Sequence, residues 1–169
     1  IDFILERKDE CSRIINLIEE GKIPLRVTHN DTKLNNVLLD EKTKKGICVI
    51  DLDTVMPGSS LYDFGDTIRF GCNTALEDED DLSKVNFSLE YFKGYTEAYL
   101  EILKDTLCEN EIKNLAFAGK LLTLECGIRF LDDYLNGDHY FKISYPTHNL
   151  VRAKNQLKLV KEMEKHMDE

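Results

Sequence analysis

One polar segment of the sequence carries residue types suited to chemistry. Residues 29–36 read His-Asn-Asp-Thr-Lys-Leu-Asn-Asn, and a further carboxylate, Asp51, follows Asn36 by fifteen residues. Phosphoryl transfer from a magnesium nucleotide needs one carboxylate to orient the attacking hydroxyl, and an amide and a second carboxylate to hold the metal. Asp31, Asn36 and Asp51 have these side chains at the spacing of kinase catalytic loops. The pattern therefore predicts phosphoryl transfer to a small-molecule hydroxyl.

Three residues of this segment are candidate catalytic residues. Asp31 is predicted to accept a hydrogen bond from the acceptor hydroxyl and to orient it for in-line attack. The proton leaves late because the transition state is loose. Lys33 has an ammonium group that can face the transferring phosphoryl group. His29 is predicted to fix the loop by hydrogen bonding more than to act as a base.

The predicted cofactors are ATP and Mg²⁺, and three residues are candidate metal ligands. Asn36 offers an amide oxygen, and Asp51 offers a carboxylate that can bridge the nucleotide phosphates through the ion. Asp53 is expected either to reach a second metal ion or only to solvate the site. Loops rich in Asp and Asn also occur by chance, because these side chains bond their own backbone. The loop is therefore persuasive only together with Asp51.

The sequence pattern predicts an α+β fold that is mainly helical. Strand-like runs at 37–39 and 46–50 surround a charged turn and predict a β-hairpin, preceded by a strand at 25–28. The hairpin would bring the catalytic loop before it and Asp51 after it to one place. Apolar residues recurring every three or four positions predict a first helix ending at Gly21 and later helices at 61–70, 83–104, 109–135 and 147–167.

Composition limits the classes of partner. The chain has 169 residues, 42% of them hydrophobic, which predicts one domain with one core. The net charge of −10 makes nucleic acid a poor partner. The sequence has no apolar run of about 18 residues, so no membrane span is expected. Five cysteines without a CxxC pair predict reduced, buried thiols and a cytoplasmic location.

Residues 26–69 resemble the catalytic core of the aminoglycoside phosphotransferase and choline kinase superfamily, which has a protein-kinase-like fold. The resemblance rests on the His-x-Asp-x-x-x-x-Asn loop, the Ile-Asp pair at Asp51, and the Tyr-Asp pair at 62–63. It implies that Asp31 is the base, that Asn36 and Asp51 bind the metal, and that Asp63 supports the catalytic loop. One departure is Asn30, where many members have glycine, so that the backbone there is expected to be less permissive.

A narrower resemblance, over 28–37, 49–58, 128–131 and 133–135, is to the bacterial N-acetylhexosamine 1-kinases. It implies ATP-dependent phosphorylation of the anomeric hydroxyl of N-acetylglucosamine or N-acetylgalactosamine, with Arg129 and Tyr140 as sugar contacts. An arginine can donate a fork of hydrogen bonds to neutral sugar oxygens and repels cationic acceptors. The alternatives are an ion pair between Arg129 and Glu125 on one helix, and simple packing of Tyr140 against Phe141.

No glycine-rich phosphate loop and no strand lysine with a helix glutamate precede the catalytic loop. Residues 1–169 are therefore expected to be the C-terminal catalytic and substrate-binding lobe, without the N-terminal nucleotide-binding lobe, and to have little activity alone. A choline-type or aminoglycoside-type kinase remains an alternative. So does a metal-dependent phosphohydrolase using His29, Asp31 and Asp51. A third alternative is a binding module that has lost turnover.

Overall fold

The computed structural model describes residues 1–168. The first third holds two short helices and four short strands: α1 (Asp2–Leu5), α2 (Arg13–Glu19), β1 (Arg26–Thr28), β2 (Val37–Leu39), β3 (Gly46–Val49) and β4 (Met56–Gly58). The remainder is helical: α3 (Ser60–Gly71), α4 (Leu89–Leu103), α5 (Glu109–Lys113), α6 (Leu115–Leu135) and α7 (His148–Met163). The predicted α+β class with a predominance of helix is confirmed.

The strands pair two by two in antiparallel fashion. In the β2–β3 hairpin, Val37 lies opposite Val49, and the next residues are joined by a hydrogen bond from the Ile50 amide to the Asn36 carbonyl (2.9 Å). The catalytic loop ends where β2 begins, and Asp51 follows β3. The hairpin therefore brings the two segments to the same end, as the sequence predicted.

The second sheet is a finding that the sequence did not predict. β1 pairs with β4, with Arg26 opposite Gly58 and Thr28 opposite Met56. β4 reads Met-Pro-Gly, and both proline and glycine are depleted in strands, so no strand signal exists there. The catalytic loop and the Asp51 segment therefore belong to the stretch of chain between β1 and β4, whose ends are held together by this pairing.

Four helices differ from their predicted bounds. The last, predicted over 147–167, ends at Met163 and is followed by a 3-10 turn at Glu164–His166. The helix predicted to end at Gly21 is broken into α1 and α2 by a 3-10 turn at Lys8–Glu10. α4 begins at Leu89 and not at 83, because the Ser88 side chain accepts a hydrogen bond from the Tyr91 amide and caps the helix there. The helix predicted over 109–135 is divided at Asn114, whose ψ of 7° is not helical.

The core lies where α3 and α7 pack against the long helix α6. Its fully buried residues include Leu61, Phe64, Ala118 and Leu159. Gly65 permits the close approach of α3 to α6, since a Cβ there would lie 2.5 Å from the Ala118 carbonyl oxygen. α4 covers the outer side with aromatic rings: the Phe64 ring contacts those of Phe92, Tyr95 and Tyr99. This packing holds α3, which supports the catalytic loop, in a fixed position.

All five cysteines are free thiols. Cys72 and Cys126 are buried, and burial raises the pKa of each thiol to about 12. Cys48 is exposed, so the prediction of burial is wrong for that residue, which lies on the open hairpin. Within residues 1–168, no helix combines the length and the apolar character that crossing a membrane requires.

Candidate active site

The catalytic loop places three predicted residues in direct contact. The Lys33 ammonium donates a hydrogen bond to Asp31 Oδ2 (2.9 Å). The Asn36 side-chain amide donates to the same oxygen and to the Asp31 main-chain carbonyl, both at 2.8 Å. Because these side-chain contacts end on Oδ2, the other oxygen, Oδ1, is the one positioned to accept a hydrogen bond from a substrate hydroxyl.

The electrostatics of Asp31 suit an acceptor that stays ionised. Partial burial raises the pKa of this carboxyl, but hydrogen bonds from Lys33 and Asn36 and the Lys33 charge lower it by more. The net pKa lies below its ordinary value, so Asp31 is a carboxylate at neutral pH. Such a group orients a hydroxyl well and takes its proton only when that proton becomes acidic, as in a loose phosphoryl-transfer transition state.

Asp63, near the start of α3, holds the catalytic loop from behind. Its two carboxylate oxygens accept hydrogen bonds from the backbone amides of His29 (2.8 Å) and Asn30 (2.7 Å). Asn30 has a φ of 65°, in the left-handed region that asparagine tolerates better than most residues. The departure from glycine at this position is therefore compatible with the loop. Asp63 therefore contacts the loop through two backbone amides, and its supporting role stays a prediction.

The enzyme that also contains the predicted N-terminal lobe is called the complete chain below. In it, we expect Asp63→Asn to lower kcat by about 10²-fold, because a misplaced loop moves Asp31 out of alignment. The asparagine NH2 would point at one of the two backbone N–H groups that donate hydrogen bonds to Asp63 in wild type. Steady-state kinetics measure the effect, and Glu90→Gln, an exposed change on α4, is the control. An unchanged kcat in a folded Asp63→Asn variant would contradict the supporting role.

His29 links the loop to the segment before Asp51. Its Nε2 lies 2.9 Å from the Ile50 carbonyl oxygen, which can only accept, so Nε2 carries the hydrogen. The Ile50 amide in turn bonds the Asn36 carbonyl. These contacts connect the loop to the end of β3, and the predicted role of His29 in fixing the loop stays a prediction. Asp51 follows with a φ of 63°, a left-handed conformation that is rare outside glycine and common at functional sites.

The donor set fits a magnesium ion. Asn36 uses its amide hydrogens on Asp31, which leaves its side-chain oxygen for a cation. Asp51 and Asp53 are exposed carboxylates on the adjoining segment. Among residues 1–168, no three His, Cys, Asp or Glu side chains gather as a metal cluster. One amide and few carboxylates suit Mg²⁺, which takes its remaining ligands from water and phosphates.

Arg129 and Tyr140 form a second unit at the C-terminal part of α6. Arg129 Nη2 lies 3.3 Å from the Tyr140 hydroxyl, and its guanidinium carbon is 5.5 Å from the centre of the tyrosine ring. Arg129 also pairs with Glu125 at 3.6 Å, so the predicted alternative contact exists as well. Tyr140 touches Phe141, with ring centres 4.8 Å apart, but is 74% exposed. Packing therefore leaves most of Tyr140 available.

A model of the phosphotransferase enzyme family matches residues 5–102. This span is more than half of the chain and contains the catalytic loop, the Asp51 segment and Asp63. The chain belongs to the phosphotransferase enzyme family. Membership confirms the resemblance to the aminoglycoside phosphotransferase and choline kinase superfamily, and with it kinase-type transfer of phosphate to a small molecule. Arg129 and Tyr140 lie outside the matched residues.

The structure of this phosphotransferase does not join all predicted site residues into one network. In the described part of the chain, no hydrogen bond or ion pair connects the catalytic loop to Arg129 or Tyr140. The two units meet indirectly through α3, which packs on α6 and carries Asp63. Besides burial, the Glu125 charge raises the pKa of Tyr62, the residue before Asp63. The face of α6 that carries Glu125 therefore lies near Tyr62.

Three threonines of the phosphotransferase site were missed by the sequence reasoning. The Thr54 hydroxyl donates to the His29 carbonyl (2.6 Å), and the Thr32 hydroxyl donates to the Asp63 carbonyl (2.5 Å). The Thr67 hydroxyl donates to the Thr32 carbonyl (3.0 Å). These bonds hold the loop to α3 and to the segment after Asp51. Threonine is common in loops and helices alike, so the sequence gave no signal for these contacts.

Proposed function

We propose that this phosphotransferase moves the γ-phosphoryl group of ATP to the anomeric hydroxyl of an N-acetylhexosamine. The transfer is carried by one observation: Asp31, Lys33 and Asn36 form a hydrogen-bonded unit in which the Asp31 carboxylate keeps one oxygen for a hydroxyl. N-acetylglucosamine and N-acetylgalactosamine are proposed as acceptors because of the resemblance at 28–37, 49–58, 128–131 and 133–135.

Each residue has a definite task in this proposal. Asp31 Oδ1 accepts the hydrogen bond of the acceptor hydroxyl and directs its oxygen at the phosphorus. Lys33 gives one N–H to Asp31 and has two more for the transferring phosphoryl oxygens. Asn36 and Asp51 would hold the metal, with Asp53 as a further candidate ligand. When bound, Mg²⁺ would supply positive charge that neutralises the nucleotide phosphates.

The acceptor assignment is supported by the chemistry of the Arg129 and Tyr140 unit. Arg129 is half exposed and Tyr140 more so, and together they present a guanidinium fork and a phenol. These groups donate to neutral hydroxyl and acetamido oxygens. A positive guanidinium repels an aminoglycoside or choline, which are cations. The unit therefore favours a neutral acceptor over a cationic one.

The test is a panel of acceptors offered with ATP and Mg²⁺ to the complete chain, with the products identified by phosphorus NMR. We expect a sugar 1-phosphate from N-acetylglucosamine or N-acetylgalactosamine. A product on an aminoglycoside or on choline alone would overturn the sugar assignment. Phosphate release without an acceptor would indicate a hydrolase, and absence of both binding and turnover would indicate a module without activity.

We expect Arg129→Ala to raise the KM for the sugar about tenfold or more, equivalent to about 1.4 kcal/mol or more of lost binding, while the KM for ATP stays the same. The matched variant is Glu125→Gln, which removes the ion pair on the helix but leaves the guanidinium. If Arg129 binds the acceptor, Glu125→Gln leaves the sugar KM unchanged. Equal effects of the two variants would show that the ion pair, and not sugar contact, is the role of Arg129.

We infer that residues 1–169 act as the C-terminal catalytic and substrate-binding lobe of a kinase-like enzyme. Supporting this, the hairpin exposes apolar side chains that are neighbours on one face of β3, Ile47 (66% exposed) and Val49 (49%). Contiguous exposed apolar residues are typical of surfaces that another part of a protein covers. ATP turnover on N-acetylglucosamine by residues 1–169 alone, at the rate of the complete chain, would contradict this assignment.

A further inference from the structure

Asp133, in the last turns of α6, is a buried carboxylate that the catalytic proposal does not use. It is 6% exposed. Its Oδ1 accepts hydrogen bonds from the backbone amides of His139 (2.9 Å) and Tyr140 (2.8 Å). Its Oδ2 accepts from the backbone amide of Phe141 (2.8 Å) and from the side chain of Asn149 (2.9 Å). Three successive backbone amides thus converge on one side chain.

The chain must turn sharply to make these bonds possible. Gly137 has a φ of 98° and Asp138 a φ of 59°, so two consecutive residues lie in the left-handed region. The Asn149 side chain, fully buried on α7, also donates to Asp138 Oδ1 (2.9 Å). Asp133 and Asn149 together therefore fix the conformation of residues 137–141, which we call the Tyr140 loop.

Packing alone does not fix Tyr140, because its side chain is 74% exposed. Its backbone is fixed by the bond to Asp133 and by the equivalent bonds on either side. The tyrosine ring is thereby kept beside Arg129, whose Nη2 reaches the phenol oxygen at 3.3 Å. A ring that is exposed but held in place loses little entropy when it contacts a ligand.

We propose that Asp133 is a positioning residue for the acceptor: by ordering the Tyr140 loop it presents Tyr140, with Arg129, to the sugar. This inference rests on the proposed function, because it assigns Tyr140 to acceptor binding. In this proposal Asp133 does not contact the acceptor itself. The predicted consequence is that loss of the Asp133 carboxylate weakens acceptor binding while the phosphoryl-transfer step continues.

The experiment compares Asp133→Asn with Asp132→Asn in the complete chain. Asparagine keeps the shape of the side chain but replaces one accepting oxygen with an NH2 donor. That donor would face N–H groups that donate to Asp133 in wild type. Asp132 is the adjacent exposed carboxylate, bonded only to Asn136 within the described residues, and provides the matched control. We expect Asp133→Asn to raise the acceptor KM tenfold or more, with kcat and the KM for ATP within twofold of wild type. Asp132→Asn should change none of these.

Hydrogen exchange read by mass spectrometry supplies a measurement that does not depend on the acceptor. Peptides covering the Tyr140 loop should exchange at least tenfold faster in Asp133→Asn than in wild type or Asp132→Asn. Unchanged exchange would overturn the ordering role. Gly137→Ala provides a second variant in case Asp133→Asn does not fold, because the substitution strains the exposed turn at φ 98° without changing the core. It should raise the acceptor KM in the same way.

A double-mutant cycle tests whether Asp133 acts through Tyr140. Tyr140→Ala alone should raise the acceptor KM, and adding Asp133→Asn should change it by less than twofold further. Additive effects would overturn the proposal, because Asp133 would then act elsewhere.

The two hypotheses fail separately. If wild type phosphorylates N-acetylhexosamines and Asp133→Asn keeps its acceptor KM, the positioning role is wrong and the proposed function stands. If wild type phosphorylates only another acceptor in the panel, the sugar assignment is wrong. A raised KM of Asp133→Asn for that acceptor would still support positioning.

Discussion

Replacement of Asp31 by asparagine is expected to lower kcat of the complete chain by about 10³-fold, within the 10²–10⁴-fold range typical of general acid–base residues. Asparagine lacks the negative charge that pairs with the Lys33 ammonium. It also lacks the carboxylate that would accept the hydrogen bond of the hydroxyl. Because Lys33 and Asn36 both donate to Oδ2, the amide NH2 either faces these two donors or replaces the Oδ1 oxygen that would accept the hydroxyl. The loop therefore loses either part of its internal order or its acceptor oxygen.

The kinetic pattern distinguishes this role from simple loss of structure. KM for ATP and for the sugar should change little, because Asp31 acts mainly when the hydroxyl attacks. Asp105→Asn, an exposed change after α4, is the matched control and should keep full activity. A loss smaller than tenfold in a folded Asp31→Asn variant would show that another group orients the acceptor.

The catalytic loop was predictable because its chemistry lies in one continuous segment. Asp31, Lys33 and Asn36 are separated by two to five residues, and a loop followed by a strand has few ways to arrange them. Hairpin pairing then brings Asp51 close, and hairpins have a clear local signal. A supporting role for Asp63 was predicted from the family resemblance. Only the structure shows which two backbone amides donate hydrogen bonds to its oxygens.

Other parts of the site depend on contacts between residues far apart in sequence. β4 has no strand composition of its own and exists because β1 lies beside it. The helix predicted over 109–135 divides at Asn114, which no periodicity of apolar residues could indicate. Asp133 resembled any other aspartate near a helix end, since its partners are the backbone amides of a later loop. Such contacts depend on geometry, which residue types alone do not specify.

A cluster around Glu111 shows what such distant contacts contribute to stability. The Glu111 carboxylate is fully buried and makes a two-bond pair with Arg26, whose Nε and Nη2 both lie at 2.7 Å. It also accepts hydrogen bonds from Ser60 Oγ (2.6 Å) and the Cys108 amide (2.8 Å). Because Arg26 opens β1, the cluster connects α5 and the start of α3 to the strand that leads into the catalytic loop.

We expect Glu111→Gln to lower the free energy of unfolding by about 3 kcal/mol, the low end of the 3–5 kcal/mol typical when one partner of a buried ion pair is removed. Glutamine removes the negative charge that pairs with the Arg26 guanidinium. Its side-chain NH2 also places a donor beside one of the N–H groups that donate to Glu111 in wild type. Urea unfolding at neutral pH measures the difference. Glu109→Gln lies on the same helix, with its side chain 80% exposed and paired to Lys113, and should leave the midpoint of unfolding unchanged.

The same cluster predicts the direction of the pH dependence. Burial raises the pKa of Glu111, but the hydrogen bonds from Arg26, Ser60 and Cys108 outweigh it and bring the pKa from 4.5 to about 2. A carboxyl with a depressed folded-state pKa stabilises the protein above its unfolded-state pKa, and this stabilisation is lost as pH falls toward the folded-state value. Wild type and Glu111→Gln should therefore differ most above pH 4.5 and converge as the pH falls toward about 2. A difference in unfolding free energy that stays constant over this range would show that packing, and not the ionised carboxylate, is what Glu111 contributes.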